Sequence, residues 1–326
     1  MIEIDGSYLE GGGQILRTAL ALSAVTCESV RIHSVRAKRK NPGLAHQHLT
    51  TLFALKQICN AKVSGASLGS TEVFFEPSNI NSGKYEFDIG TAGSVTLLLH
   101  ALLPVLVYSR KSFLIRVRGG TNVPLSPTVD HFEHVFLKLL SDKGLRCSFK
   151  VLKRGFYPRG GGLVEFSVDD SSVQALRFLE RGSLLKTYAL SGATLDLKSA
   201  RVAERQLALV EVQEKSFEYF ESASTGSFVL VVSVYQKSVL GCDALGQKGL
   251  KAELVGKSAY ERLTAQKAVV DEYVSDQLIP YLALFGGQAL VADTLHTRTN
   301  VYVCNSFPLK KIKTKEEKEG CVILEA

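Results

Sequence analysis

The chain has no tryptophan and one methionine, and its six cysteines, Cys27, Cys59, Cys147, Cys242, Cys304 and Cys321, are scattered. None forms a CxxC pair, which argues against a zinc ribbon or a thioredoxin-like redox motif. Long apolar runs are missing too. The apolar stretch from Leu97 to Val107 holds His100 and Pro104, is too short for a membrane span, and reads as a buried helix. Neither GxxxxGK[ST] nor GxGxxG occurs, so neither a P-loop nor a Rossmann fingerprint is supported. The opening residues, Met1-Ile2-Glu3-Ile4-Asp5, are acidic and strand-like rather than signal-like. Free thiols, no signal and no span give the expectation of a cytoplasmic protein with no membrane partner.

What is present is an ordinary globular balance. The 326 residues are 45% hydrophobic and 22% charged, enough for one large domain or two. A net charge of +7 permits an anionic partner without demanding one.

Short β runs alternate with amphipathic helices, an α/β (α+β) pattern. Ile2–Asp5, Ser29–Val35, Tyr85–Ile89, Phe113–Arg118, Leu145–Lys153 and Gly162–Val168 read as strands, and the span from Val63 to Glu76 as two more. Helices are expected at Gly11–Leu22, Leu44–Cys59, Val95–Val107 and Thr128–Lys143. The stretches beginning at Val30 and Phe113 share a strand, an Arg, a polar-Pro turn and a long helix, which suggests duplicated units. A third copy would use helices near Ala252–Ala268 and Val269–Leu284, with strands around Ala289–Ala292 and Asn300–Val303. The segment 182–250 breaks the rhythm. With strands at Leu184–Ser191 and Phe228–Val234 and a helix near Ala200–Val212, it reads as a small α/β insert between the second and third copies. Residues 1–181 and 251–326 would then form the large domain. The mixed charge run Lys310–Glu319 reads as a solvated turn before a last strand at Cys321–Leu324.

Features at both ends of the chain carry chemistry. Glu10-Gly11-Gly12-Gly13 leads into a helix bearing Arg17, and a glycine turn at a helix N-terminus presents N–H groups to an anion. Arg36, Lys38, Arg39 and Lys40 crowd one loop before Pro42 and attract phosphate. Near the other end, His296 lies in Thr-Leu-His-Thr-Arg-Thr-Asn, on what reads as a strand. An imidazole is both a good nucleophile and a good leaving group at phosphorus. The acid–amide pair Asp276-Gln277 lies nearby, and Glu10 is a candidate metal ligand.

Taken together, EGGGQILRTALALS, RAKRKNPGLAHQHL, GTAGSVTLLLHALLP, GGTNVPLSPTVDHF, RGFYPRGGGLVEF, EYVSDQL and the late His followed by xxTN resemble the RNA 3′-terminal phosphate cyclases, of the catalytic branch close to archaeal and bacterial-type members. The match weakens only from about Gly182 to Leu250. The resemblance implies three units, each a four-stranded sheet with two helices, plus a smaller inserted α/β domain. It implies an ATP-dependent ligase-type enzyme that turns an RNA 3′-phosphate into a 2′,3′-cyclic phosphate, releasing AMP and pyrophosphate. The path would run through a covalent histidine–AMP and then an RNA-to-adenosine pyrophosphate linkage. It implies His296 as nucleophile, and Tyr273, Val274, Ser275, Asp276 and Gln277 around the adenylate, with Asp276 orienting His296. Arg17, Arg36, Arg39 and Gln47 would face RNA phosphate. Glu10 would bind a divalent metal, Mg or Mn. A homodimer is left open. Where bacterial-type members carry a Gln near the adenylate, this chain has His100. Two other readings are an inactive RNA-binding ribosome-assembly factor of the same fold and an enolpyruvyl transferase. The late His296 argues against both, and the RAKRK loop against the second.

Overall fold

The structure, a computed structural model, describes residues 1–316 and 320–326. Among them are four four-stranded sheets. Three share one plan. In the first unit the strands lie side by side in the order Ile2–Asp5, Val30–His33, Val73–Glu76, Lys62–Ser64; the first pair is parallel and the rest antiparallel. The second unit repeats this with Gly83–Asp88, Phe113–Gly119, Gly162–Val168 and Cys147–Lys153. The third uses Leu176–Phe178, Gly287–Ala292, Cys321–Glu325 and Lys313–Glu316. Each parallel pair needs a crossover, and a helix supplies it in the first two units: Gly13–Thr26 and Val95–Tyr108.

In the third unit the crossover holds the insert. Its first strand, Leu176–Phe178, precedes the insert and its parallel partner Gly287–Ala292 follows, so the insert lies within the third unit rather than between the second and third. A three-residue strand is too short to show an alternating pattern. The helix Ala252–Thr264, expected to open the third unit, packs against the insert's strands Ser227–Tyr235 and Val239–Leu245. Its Val255, Ala259 and Leu263 join Ala189, Val229 and Val231 in a separate small core. The other face of strand Ser227–Tyr235 sends Leu230 and Val232 into the main core. Both faces of that strand are therefore covered, which explains its unbroken apolar run. The insert's sheet also holds two strands not read from sequence, Glu214–Phe220 and Val239–Leu245, and its helix is only Val202–Gln206.

Two further expectations change. Asn300–Val303 is not a strand but part of a helix, Leu295–Ser306. Lys313–Glu316 is an edge strand rather than a turn, while residues 317–319 of the charged run lie outside the described residues.

The three units close on one another through similar contacts. At the start of each unit's second helix a side chain reaches the start of the next unit's first helix. Gln47 Oε1 accepts from Ser94 N at 3.3 Å, His131 Nε2 meets Asp271 Oδ2 at 3.2 Å, and His296 Nδ1 meets Gln14 Oε1 at 2.8 Å. The last contact, from the third unit back to the first, completes the cycle.

Candidate active site

His296 sits in the first turn of Leu295–Ser306. Thr294 caps that helix, its hydroxyl accepting from Thr297 N at 3.1 Å. The imidazole is exposed while the next residue, Thr297, is fully buried. Gln14 fixes the ring's protonation pattern. Its Nε2 donates to Asp276 Oδ2 at 2.5 Å, so its Oε1 is left to accept, and His296 Nδ1 must be the donor across 2.8 Å. The lone pair then lies on Nε2. Although the residue keeps an exposed edge, partial desolvation of its ring, then Arg17 and Arg39, hold the His296 pKa below its usual value, against the pull of Glu272. A neutral ring with a free Nε2 is the nucleophilic form.

Three helices are tied together beneath it. Thr18 Oγ1 donates to Asn300 Oδ1 at 2.7 Å, and Asn300 Nδ2 donates to the Asp276 carbonyl at 2.8 Å. Burial raises the Asp276 carboxyl to about 7, with Arg17 and the Gln14 bond opposing. Burial lowers Arg17 to about 10, and Asp276 resists.

On the other side of His296 lies the glycine turn. Helix Gly13–Thr26 starts from Gly12 with no side-chain cap, so its first N–H groups face the site. Space here demands glycine. A Cβ on Gly12 would lie 2.2 Å from Glu10 Oε1, and one on Gly13 would lie 2.2 Å from His48 Nε2. His48 accepts at Nδ1 from Ala45 N at 3.2 Å, so its Nε2 carries the proton. Burial, with Arg17, Arg36 and Arg39, lowers its pKa to about 3, so it stays neutral among the cations.

The basic loop brings Arg36 and Arg39 to the same place. Arg36 has left-handed backbone, φ 56°, and donates to the Gly43 carbonyl at 2.6 Å. Arg39 pairs with Glu10, and Lys38 donates to the Leu9 carbonyl at 2.7 Å. Gln47 is engaged with Ser94 at the first helix of the second unit.

The other expected residues divide. Tyr273 lines a cavity of about 530 Å³ between the second unit and the insert, shared with Thr128, Asp243 and Arg262. Val274 and Ser275 are buried instead; the Ser275 hydroxyl donates to the Asp271 carbonyl at 2.8 Å and accepts from Ala292 N at 3.0 Å. Gln277 Oε1 is buried without a partner among the described residues. His100 stands edge-on to Phe132 and Phe136, at centroid distances of 4.9 and 4.6 Å, with its buried Nε2 unpartnered among the described residues. Its burial depresses its pKa.

Comparison with known proteins settles the lineage. Residues 8–314 match the family model for RNA 3′-terminal phosphate cyclase. The chain belongs to that family. It is 43% identical to the RNA 3′-terminal phosphate cyclase of Pyrococcus abyssi, over 94% of this chain and 93% of that one. The cyclase of Pyrococcus furiosus is 44% identical over 97% and 95% of the two chains, and that of Sulfurisphaera tokodaii 41% over 98% and 97%. A solved enolpyruvyl transferase, NikO from Streptomyces tendae, shares 15% identity over 52% of this chain and 33% of its own at a TM-score of 0.29, too slight a likeness to bear on function. This cyclase-family chain has no helix among its described residues long and apolar enough to cross a membrane.

Gln14 and His48 are not marked as site residues by the sequence alone. Both stand inside quoted motifs, EGGGQILR and GLAHQHL, but nothing local marks them. Their roles depend on Asp276, His296 and the arginines, which only the fold brings together.

Proposed function

We propose that this chain converts an RNA 3′-phosphate into a 2′,3′-cyclic phosphate at the expense of ATP, with His296 as the covalent nucleophile. The supporting observation is the relay Asp276–Gln14–His296, which leaves a neutral imidazole with its Nε2 lone pair free beside an arginine cluster. In the first step His296 Nε2 bonds to the α-phosphorus of ATP, and the bond from that phosphorus to the pyrophosphate oxygen breaks. Nδ1–H stays on Gln14, so the imidazolium-like charge that develops is spread toward Asp276. In the second step an oxygen of the RNA 3′-phosphate attacks the same phosphorus and His296 leaves. In the third the vicinal 2′-OH attacks the 3′-phosphorus, loses its proton, and AMP departs. A phosphate monoester oxygen is a poor leaving group; AMP is a good one.

Tyr273 and its cavity suit the nucleoside, while Arg17, Arg36, Arg39, His48 and the free N–H groups at Gly13 suit phosphate. Among the described residues no three acids, histidines or cysteines converge to hold a metal. Glu10, whose carboxylate among the described residues meets Arg39, would offer a single carboxylate to a magnesium or manganese ion. Such an ion would supply charge neutralisation on the phosphates.

The test is product analysis. A short RNA ending in a 3′-phosphate, incubated with ATP, magnesium and the protein, should acquire a phosphatase-resistant cyclic end with one AMP released per end. An RNA end that stays phosphatase-sensitive under magnesium and manganese alike contradicts the proposal.

A further inference from the structure

Three buried ionisable groups stand outside the reaction just described, where the second unit, the third unit and the insert meet. Asp271 is 1% exposed, His131 0% and Asp243 6%. Asp271 touches all three parts of the molecule. Its Oδ1 accepts from Val274 N at 3.0 Å, capping the helix Glu272–Gln277. Its Oδ2 lies 3.2 Å from His131 Nε2 in the second unit and accepts from Gly241 N of the insert at 3.0 Å. Asp243 of the insert in turn accepts from Thr128 N at 2.7 Å, at the start of the helix that carries His131. Burial disfavours charge on His131, but Asp271 and Asp243 outweigh it and raise its pKa above the usual value.

The helix so anchored is only six residues long, Glu272–Gln277, and a helix of that length has little stability of its own. Its ends are held from outside: Asp271 at the start and Asn300 on the Asp276 carbonyl at the finish. Between them it carries Tyr273, whose ring meets His131 edge-on at 5.3 Å, and Asp276, the far end of the relay to His296. Gly241 cannot be replaced as a contact without movement, because a Cβ there would lie 2.5 Å from Val135.

We propose that Asp271, paired with His131, is a positioning residue for adenylation: it holds Tyr273 and Asp276 where they serve His296 and ties that arrangement to the seat of the insert. This rests on the reaction proposed above. It also gives the insert a role: through Gly241 and Asp243 it clamps the nucleotide side of the site and leaves the arginine side to the first unit.

The test uses the full chain with Asp271→Asn, which keeps a capping oxygen but loses the carboxylate facing His131, and His131→Asn, which leaves the cap intact. In either variant kcat/KM for adenylation should fall about tenfold or more, while AMP transfer to RNA from enzyme already adenylated stays within about threefold. The double variant, with a neutral hydrogen-bonding pair, should recover part of the adenylation lost in Asp271→Asn. Amide hydrogen exchange at Gly241 and Val274 should quicken in the Asp271 variant. A fold that is only weakened would instead slow both steps alike and gain nothing from the double change, and that result overturns the proposal. So does an adenylation rate within about threefold of the parent in both single variants. Should the parent protein form no adenylate, the reaction and this role for Asp271 both fail, whereas unchanged exchange with normal adenylation in the parent overturns the clamp alone.

Discussion

At the residue scale the site turns on which nitrogen of His296 holds the proton, and Gln14 decides it. Gln14→Ala removes the acceptor at Nδ1 and lets the ring rotate and change tautomer. Adenylation by that variant should drop about 10- to 100-fold in a single-turnover assay, with ATP binding little changed. Asp276 supports Gln14 at a cost in stability. Its carboxyl is raised from 3.8 to about 7, so the folded state holds that proton more tightly than the unfolded chain does. The penalty is absent below about pH 3.8, grows between the two values, and is complete above about 7. Asp276→Asn should therefore raise the melting temperature at pH 8, with a gain that fades toward pH 4, while slowing adenylation by two or more orders of magnitude, about 3 kcal/mol. A variant that melts lower at pH 8 would show the carboxylate to be stabilising. Glu10 and Arg17 stand out in the sequence by residue type beside the glycine turn, and His296 by its place in the family's late motif. Gln14 does not, because the bond that gives it meaning spans 282 positions.

At the element scale the instructive case is the stretch after His296. Thr297, Thr299, Val301 and Val303 alternate with other residues, a period-two pattern of β-branched side chains that reads as a strand. The structure makes it a helix because Thr294 caps its start and Thr18 and the Asp276 carbonyl fix Asn300 on its buried face. Tertiary contacts outweigh propensity there, and the result matters: a helix N-terminus places positive partial charge beside His296. Thr294→Ala should cost about 1 kcal/mol of stability, seen in urea unfolding, and should slow adenylation. The basic loop makes the complementary prediction. With Arg39→Ala the first step should survive and AMP transfer to RNA should fall roughly 10- to 150-fold, the worth of a charged hydrogen bond. The defect relative to the parent should narrow as salt is raised, because the variant makes one fewer salt-sensitive phosphate contact. Equal loss in both steps would place Arg39 at the ATP phosphates instead.

At the scale of the whole molecule, the repeat was visible in the letters because two units carry the same strand, turn and helix. The third was obscured because its first strand, Leu176–Phe178, has three residues and its crossover is filled by the insert. The three inter-unit contacts, Gln47–Ser94, His131–Asp271 and His296–Gln14, occupy equivalent places in one duplicated geometry. In this reading the third forms the covalent bond, the second holds the nucleotide side in place, and the first joins the phosphate-facing turns. The central claim is that His296 Nε2 takes up AMP. It is tested most directly by incubating the protein with ATP labelled at the α-phosphate and magnesium, digesting it, and mapping the acid-labile adduct by mass spectrometry. The account predicts one AMP per chain, on the peptide holding His296, and none on His296→Ala. Label on any other residue, or undiminished label on His296→Ala, would contradict it.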